Sequence, residues 1–391
     1  FPNRLVKAAM TEGLADPRNR VTEEHLTLYR RWAEGGAGGL ITGNVQIDRH
    51  HLERVGNVVI DAKTGEDEMD GLSRWAEAAK SGGAALIMQV SHAGRQTPKL
   101  VNPRPAAPSP VALGLPGGQF GEPRAMTPDE IRAVVEGFGR AAKVAKRTGF
   151  DGVQVHAAHG YLLSSFLSPL ANRREDDWGG PLENRARLLV DCVREAKVQG
   201  GAGFSVSVKL NSADFQKGGF SHADCLMVID ILNGLGVDFV EISGGNYEQP
   251  KMMDMEGLEP SFEETKRTST REREAYFLSY AKSVQDRASM PLMVTGGFRT
   301  LGGMNAALAS GEADLIGIGR PLCVDTATPA RLLAGEIDTA DRWEAQLRIG
   351  PGLFGPNSPI KLVKALNGFG AQGWYYEQLR LLAAGKAPNP K

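Results

Sequence analysis

Eight short runs of apolar, often β-branched residues recur along this chain, and each ends in small or polar residues. They are LVKAAM (5–10), GLITGNVQI (39–47), AALIMQVS (84–91), DGVQVHAA (151–158), FSVSVKLN (204–211), DFVEISGG (238–245), PLMVTGG (291–297) and ADLIGIGR (313–320). Runs of this length and composition read as buried strands. Helical patterns lie between them, most clearly over 127–150. There Thr127 is an N-cap, Pro128 sits at N1 and Glu130 at N3, a capping box. Ile131, Val134, Val135, Phe138, Ala142 and Ala145 follow at helical spacing. Lys146 and Arg147 close the last turn, and Gly149 stops it. Eight strands alternating with helices read as an α/β chain folded into a (β/α)8 TIM barrel. A doubly wound sheet would carry GxGxxG or GxxxxGK[ST] after its first strand; neither stands there. The 391 residues suit one large barrel.

Bulk properties exclude several partners. The formal net charge of −1 points to neither nucleic acid nor an acidic membrane surface. No apolar run approaches the roughly 18 residues needed to span a bilayer. Cys192, Cys225 and Cys323 are odd in number and far apart. They imply no disulfide framework and no cysteine-held metal, and are expected as buried thiols in a reducing cytoplasm. The chain starts at Phe1, almost inside its first strand, so an N-terminal segment is expected to be missing.

Two insertions break the βα rhythm. Residues 92–126, rich in Pro and Gly, follow strand three. Residues 246–272, rich in Met, Glu and Thr, follow strand six. Both fall on βα connections, which lie at the C-terminal mouth of a barrel, where long loops usually carry function.

Strand four ends in VQVHAAHGYLLSSFLSP (153–169), placing His156, His159 and Tyr161 at that same mouth. Three readings compete. The histidines could share a metal, but the neighbouring strand ends offer Thr11, Asn44 and Asn211, which are poor ligands, with Asp214 and Glu241 as the nearest acids. They could be satisfied polar residues of a turn. Or the two imidazoles could form a fork for a developing oxyanion, with the phenol as proton donor. The fork suits a carbonyl conjugated to C=C and needs a hydride source that side chains cannot supply, hence a cofactor. A place for its phosphate exists. Strand seven ends in Gly296 and Gly297, and strand eight in Gly319 and Arg320. Barrels commonly grip phosphate at those two loops. Lys209 is read as a second inward cation, sharing the face of Val206, Val208 and Leu210.

These residues resemble the Old Yellow Enzyme family, the FMN-dependent NADH:flavin oxidoreductase barrels. The likeness runs over essentially the whole chain. It is carried by NRLVKAAMT, LIMQVSHAGRQ, HAAHGYLLSSFLSPLANRREDDWGGPLENRARLL, VKLNSADF, TGGF and GIGRPL. The resemblance implies a flavin lying along Ala8, Ala9, Met10 and Thr11. It assigns the ring edge to Gly43, the pyrimidine edge to Gln89, the N1 and O2 side to Lys209, and the phosphate to Gly296, Gly297, Gly319 and Arg320. His156 and His159 match the substrate-oxygen pair and Tyr161 the proton donor; no metal is implied. Arginine is usual where Lys209 stands. Gly13 replaces an aromatic that some relatives place over the substrate, which implies a wider pocket there. The hairpin that usually precedes strand one is expected to be absent or cut away. Lacking the four-cysteine motif and extra domains of larger members, the chain is expected to be one FMN-binding domain over 1–391.

The implied activity uses NADH or NADPH to reduce the activated C=C of α,β-unsaturated carbonyl or nitro compounds. A dienoyl reductase or demethylase of the same family is the near alternative, and a metal-dependent TIM-barrel hydrolase the distant one. The electrophilic alkene is the expected small-molecule partner. Family habit and the arginine-rich NRREDDWGG stretch (172–180) suggest a homo-oligomer, a dimer or larger; the same stretch could instead, or also, anchor a loop by ion pairs.

Overall fold

The structure is a computed structural model. It describes residues 1–115, 118–245, 247–248, 280–343, 347, 350, 352–355, 358 and 360–390. All eight expected runs are strands: β1 (Leu5–Lys7), β2 (Gly39–Ile41), β3 (Ala85–Ser91), β4 (Gly152–Ala157), β5 (Ser205–Asn211), β6 (Val240–Ser243), β7 (Leu292–Thr295) and β8 (Leu315–Ile318). Each pairs in parallel with the next, and β8 pairs with β1, so the sheet closes into the barrel. The second run is broken: Gly39–Ile41 forms β2, and Val45–Gln46 resumes pairing further along β3.

Strand periodicity of two sorts the side chains. On β5, Val206, Val208 and Leu210 join the large core between sheet and helices. Residues of opposite parity point into the barrel. Low in the barrel these are apolar, a small cluster of Val6, Ala8, Ile41, Ile87, Phe239, Met293 and Leu315. Toward the C-terminal ends they turn polar and stay buried: Gln89 and Ser91, Gln154 and His156, Ser207, Lys209 and Asn211, Glu241 and Ser243. The reading of Lys209 is therefore corrected. It does face inward, but on the side opposite Val206, Val208 and Leu210, because an odd-numbered residue alternates with even-numbered ones.

Helices α1 (Glu23–Glu34), α2 (Glu66–Lys80), α3 (Pro128–Arg147), α4 (Leu162–Leu167), α5 (Leu182–Gly200), α6 (His222–Asn233), α7 (Leu301–Ala309), α8 (Thr328–Leu333) and α9 (Lys361–Ala383) are the helices named below. The capping box of α3 forms as expected. Thr127 Oγ accepts from the Glu130 N–H at 3.3 Å, and Glu130 Oε2 accepts from the Thr127 N–H at 2.9 Å. Its buried face carries Ile131, Val134, Phe138, Ala142 and Ala145, and Gly149 follows at φ +88°. Burying one such Val, Ile or Phe stabilises by about 1.5–3 kcal/mol, so this face, not intrinsic propensity, holds α3 down. Among the described residues no helix is long and apolar enough to cross a membrane.

The first insertion opens with a 3-10 turn, Gly94–Gln96, and adds a two-residue ladder, Ala106–Ala107 against Arg124–Ala125. It meets the start of the second insertion: Arg95 pairs with Glu248 at 2.7 Å, and the Gly114 N–H donates to Glu248 at 2.8 Å. The rest of the 246–272 insertion lies outside the described residues. In the NRREDDWGG stretch, Arg174 pairs with Asp176 and donates to the carbonyls of Pro108 and Met126 at 3.0 and 2.9 Å. Asn172 donates to the carbonyls of Phe166 and Trp178. Among the described residues the stretch is anchored mainly by hydrogen bonds to backbone carbonyls, with one ion pair inside it, rather than by the network of ion pairs read in the sequence.

Candidate active site

His156 is the inward residue at the end of β4 and is buried. Its Nδ1 accepts from the Ala158 N–H at 3.2 Å. Burial, and then the charge of Lys209, hold its pKa well below the ordinary value, so the ring is neutral. A neutral ring that accepts at Nδ1 carries its proton on Nε2. His159 sits at φ +64°, an uncommon backbone for a non-glycine residue. Its N–H donates to Asn211 Oδ1 at 3.1 Å, and its carbonyl accepts from Gln96 at 3.0 Å. Its Nε2 lies 2.7 Å from Ser243 Oγ. Its pKa is also well lowered, by burial and then by Lys209 and His156. The two rings meet edge to face at 5.2 Å.

Gly160, at φ +81°, turns the chain so that Tyr161 precedes α4 and packs 4.9 Å from His156 between ring centroids. The Tyr161 hydroxyl is 2.9 Å from that of Tyr247, which donates to Glu53 Oε1 at 3.2 Å. Burial and then the charge of Glu53 push the Tyr161 pKa well up.

Inside the barrel a buried chain runs from Gln89, through Gln154, to Glu241 and Lys209. Gln89 Nε2 donates to Gln154 at 2.7 Å, Gln154 Nε2 donates to Glu241 at 2.8 Å, and Lys209 Nζ lies 2.8 Å from Glu241 Oε1. Ala9, Met10 and Thr11 leave β1 as a half-exposed strip, with Ala8 buried behind them. Thr11 Oγ1 donates to Asn44 Oδ1 at 3.1 Å. Gly43 is buried beside this strip: an added Cβ would lie 2.1 Å from Glu12 Oε2 and 2.6 Å from the Met10 carbonyl. Its N–H donates to Glu12 at 2.9 Å, and Tyr29 binds that carboxylate in turn.

These residues fit FMN. At the phosphate end, Gly296 and Gly297 have φ of +116° and +81°, a backbone that favours glycine and leaves no Cβ between their N–H groups and an approaching anion. Gly319 stands beside Met10 Sδ, and Arg320 opens the following 3-10 turn. Thr295 Oγ1, just before the two glycines, is buried without a hydrogen-bond partner, a polar atom that a bound group could satisfy. At the ring end stand the Ala8–Thr11 strip, Gln89 and the inward cation Lys209.

Beside Gly13 the space is filled from elsewhere. Arg54 Cδ lies 3.4 Å from where a Gly13 Cβ would stand, and its guanidinium stacks at 3.8 Å on Tyr376 of α9. Among the described residues, the group spaced to hold a metal is not the His156–His159 pair but Asp48, His51 and His92. Three of its four ring nitrogens are already engaged: His51 with Asp48 and the Ala106 N–H, and His92 with the Gly94 N–H. The three cysteines are buried thiols outside any disulfide. The sequence reading missed Glu53 and Tyr247. The one local signal for Tyr247 is a phenol four residues past the end of β6.

A closed parallel barrel with glycine turns at β7 and β8 and an inward lysine fits a flavin-binding TIM barrel. Comparison with known proteins agrees. The chain matches, over residues 1–338, the NADH:flavin oxidoreductase / NADH oxidase family, and it belongs to that family. It is 38% identical to the NADH-dependent flavin oxidoreductase iliE of Neonectria sp. over 84% of this chain and 45% of that one. It is 35% identical to iliE of Hypocrea jecorina, covering 85% of this chain and 86% of the relative. The chain thus spans under half of the first relative and most of the second. Among solved structures, an old yellow enzyme homologue from Zymomonas mobilis aligns with a TM-score of 0.71 at 25% identity, covering 89% of this chain and 93% of that one.

Proposed function

We propose that this chain uses NADH or NADPH to reduce the activated C=C of enones, enals, maleimides or nitroalkenes. The observation that carries the reading is the buried cluster of His156, His159 and Tyr161 at the mouth that also holds the glycine cradle and Lys209. Bound FMN would supply the hydride. Neutral His156, its proton on Nε2, donates to the activating oxygen of the substrate. His159 completes the fork once it turns from Ser243. Both are neutral donors, so they favour charge that develops on that oxygen without binding anions in general. Tyr161, kept protonated by burial, gives its proton to the α carbon. The Arg54–Tyr376 stack narrows the mouth beside Gly13, which favours compact substrates over bulky ones. The buried thiols suit a reducing compartment, which supports a cytoplasmic enzyme.

The test is a visible spectrum of the purified protein, followed by anaerobic addition of NADH or NADPH. A flavin band that bleaches with nucleotide and returns with cyclohexenone is the expected result. A band that bleaches and does not return would discard alkene reduction. A protein that cannot be reconstituted with FMN would discard the cofactor site.

A further inference from the structure

Tyr161 can give up one proton and must then recover one, yet it is only 5% exposed. Its hydroxyl meets Tyr247 from the loop after β6, and Tyr247 reaches Glu53 from the loop after β2. Glu53 is itself buried; its Oε2 makes no hydrogen bond but lies 3.3 Å from Arg54 Nε in an ion pair. We infer that Tyr247 and Glu53 form a proton relay that reloads Tyr161 between turnovers. The inference rests on the alkene-reduction reading above and assigns two positioning residues to that reaction.

The hydrogen-bond polarity supports it. A phenol has one proton. Tyr247 spends its proton on Glu53 Oε1, so in this arrangement Tyr161 must be the donor to Tyr247, with its own proton aimed away from the substrate. Aiming it at substrate requires the chain to reverse, with Glu53 donating to Tyr247 and Tyr247 to Tyr161. A carboxyl that has taken a proton from water does this. The step balances. The Tyr161 O–H bond breaks as the α C–H bond forms. The Tyr247 O–H breaks as the Tyr161 O–H re-forms, and Glu53 restores Tyr247 before regaining a proton from water. No electrons move along the relay; the nicotinamide supplies the pair. The groups that face it are Arg54, 3.3 Å from Glu53, and Tyr376 beneath Arg54. Phe120 packs 6.1 Å from Tyr247. Arg54 holds Glu53 beside Tyr247 without entering the chain.

The test compares Glu53→Gln and Tyr247→Phe with the unaltered holoenzyme. Glutamine keeps the hydrogen bond to Tyr247 but cannot pass a proton. In a single turnover, with NADH-reduced enzyme mixed with cyclohexenone, the Glu53→Gln variant should reoxidise within about twofold of wild type, because the glutamine N–H can donate to Tyr247 and so turn the one proton Tyr161 already carries toward substrate. In repeated turnover both variants should fall by about tenfold or more, within the 10²–10⁴ that positioned proton transfer contributes. The Glu53→Gln variant should also show a burst of one product per site. Equal repeated-turnover rates in all three proteins would overturn the relay. So would an equal loss in single and repeated turnover for Glu53→Gln, which would mark a merely structural role. If wild type itself fails to reoxidise with any enone, the reading of the reaction fails instead, which separates the two.

Discussion

The Lys209–Glu241 pair is the strongest electrostatic commitment inside the barrel. Glu241 is fully buried and Lys209 nearly so, at 2.8 Å. Glu241→Gln removes the charge and also turns the Oε1 acceptor facing Lys209 into an N–H donor. The amide keeps the shape, and its oxygen still accepts from Gln154 Nε2, now at 2.8 Å from Glu241 Oε2. At an effective dielectric of about 20, two unit charges at that separation attract by about 6 kcal/mol. Part of this is offset because the carboxylate no longer has to be desolvated. The net penalty expected for stranding one buried partner is about 3–5 kcal/mol. Urea unfolding of the flavin-free chain reads it without ligand linkage. A second variant checks the cause. Glu241→Gln with Lys209→Met removes both charges and should recover most of the loss, because a buried pair replaced by apolar groups is near neutral. A single-variant loss below about 1 kcal/mol, or a double variant no better than the single, would refute the claim that an uncompensated lysine sets the cost.

Three further outcomes are expected. Tyr161→Phe should slow reoxidation of the reduced enzyme by enone by about 10²-fold or more and leave flavin reduction by NADH nearly untouched, as stopped-flow traces of the two halves would show. Gly43→Ala drives a Cβ to 2.1 Å from Glu12 Oε2 and 2.6 Å from the Met10 carbonyl. It should cost about 1–3 kcal/mol of stability and, by shifting the Met10–Thr11 strip, lower flavin retention on gel filtration. His25 is buried at the start of α1, and burial pushes its pKa down to about 3. Folding then excludes a proton that the unfolded chain binds. The stability this adds is full above pH 6.5, the ordinary value, and is lost as pH falls toward 3. The slope is about 1.4 kcal/mol per pH unit for each such group. His25→Gln, which keeps an acceptor at the capping position, should flatten the acid limb by one proton in urea titrations at pH 4 to 6.

The strands, the long helix α3 and the cluster on β4 were legible because their signals are local. A β-branched run, a Thr-Pro-x-Glu start and two histidines at a strand end each declare themselves within a few residues. Glu53 and Tyr247 did not, because they meet across 194 positions from loops after different strands, where nothing in the chain sets register. The orientation of Lys209 fails for another reason. A parallel barrel strand is buried on both faces, so apolarity alone cannot say which face is inward. Parity can. On β3, Gln89 and Ser91 alternate with Met88 and Val90. On β4, Gln154 and His156 alternate with Val153 and Val155. On β5, Ser207, Lys209 and Asn211 alternate with Val206, Val208 and Leu210, and on β6, Glu241 and Ser243 alternate with Val240 and Ile242. On β3 to β6 the helix-facing positions are apolar, since few polar partners wait there; Lys7 on β1 is the exception, buried against Tyr29 and Trp32 of α1 with its Nζ donating to the Ala8 and Ile41 carbonyls. Polar residues can be satisfied only where they meet one another or a bound group, which is the inside near the mouth. One polar residue in every two, repeated on β3 to β6, therefore marks the inward face of those strands before any coordinates do. Applied to β5, that rule places Lys209 within reach of Glu241 and of His156, its register partner on β4.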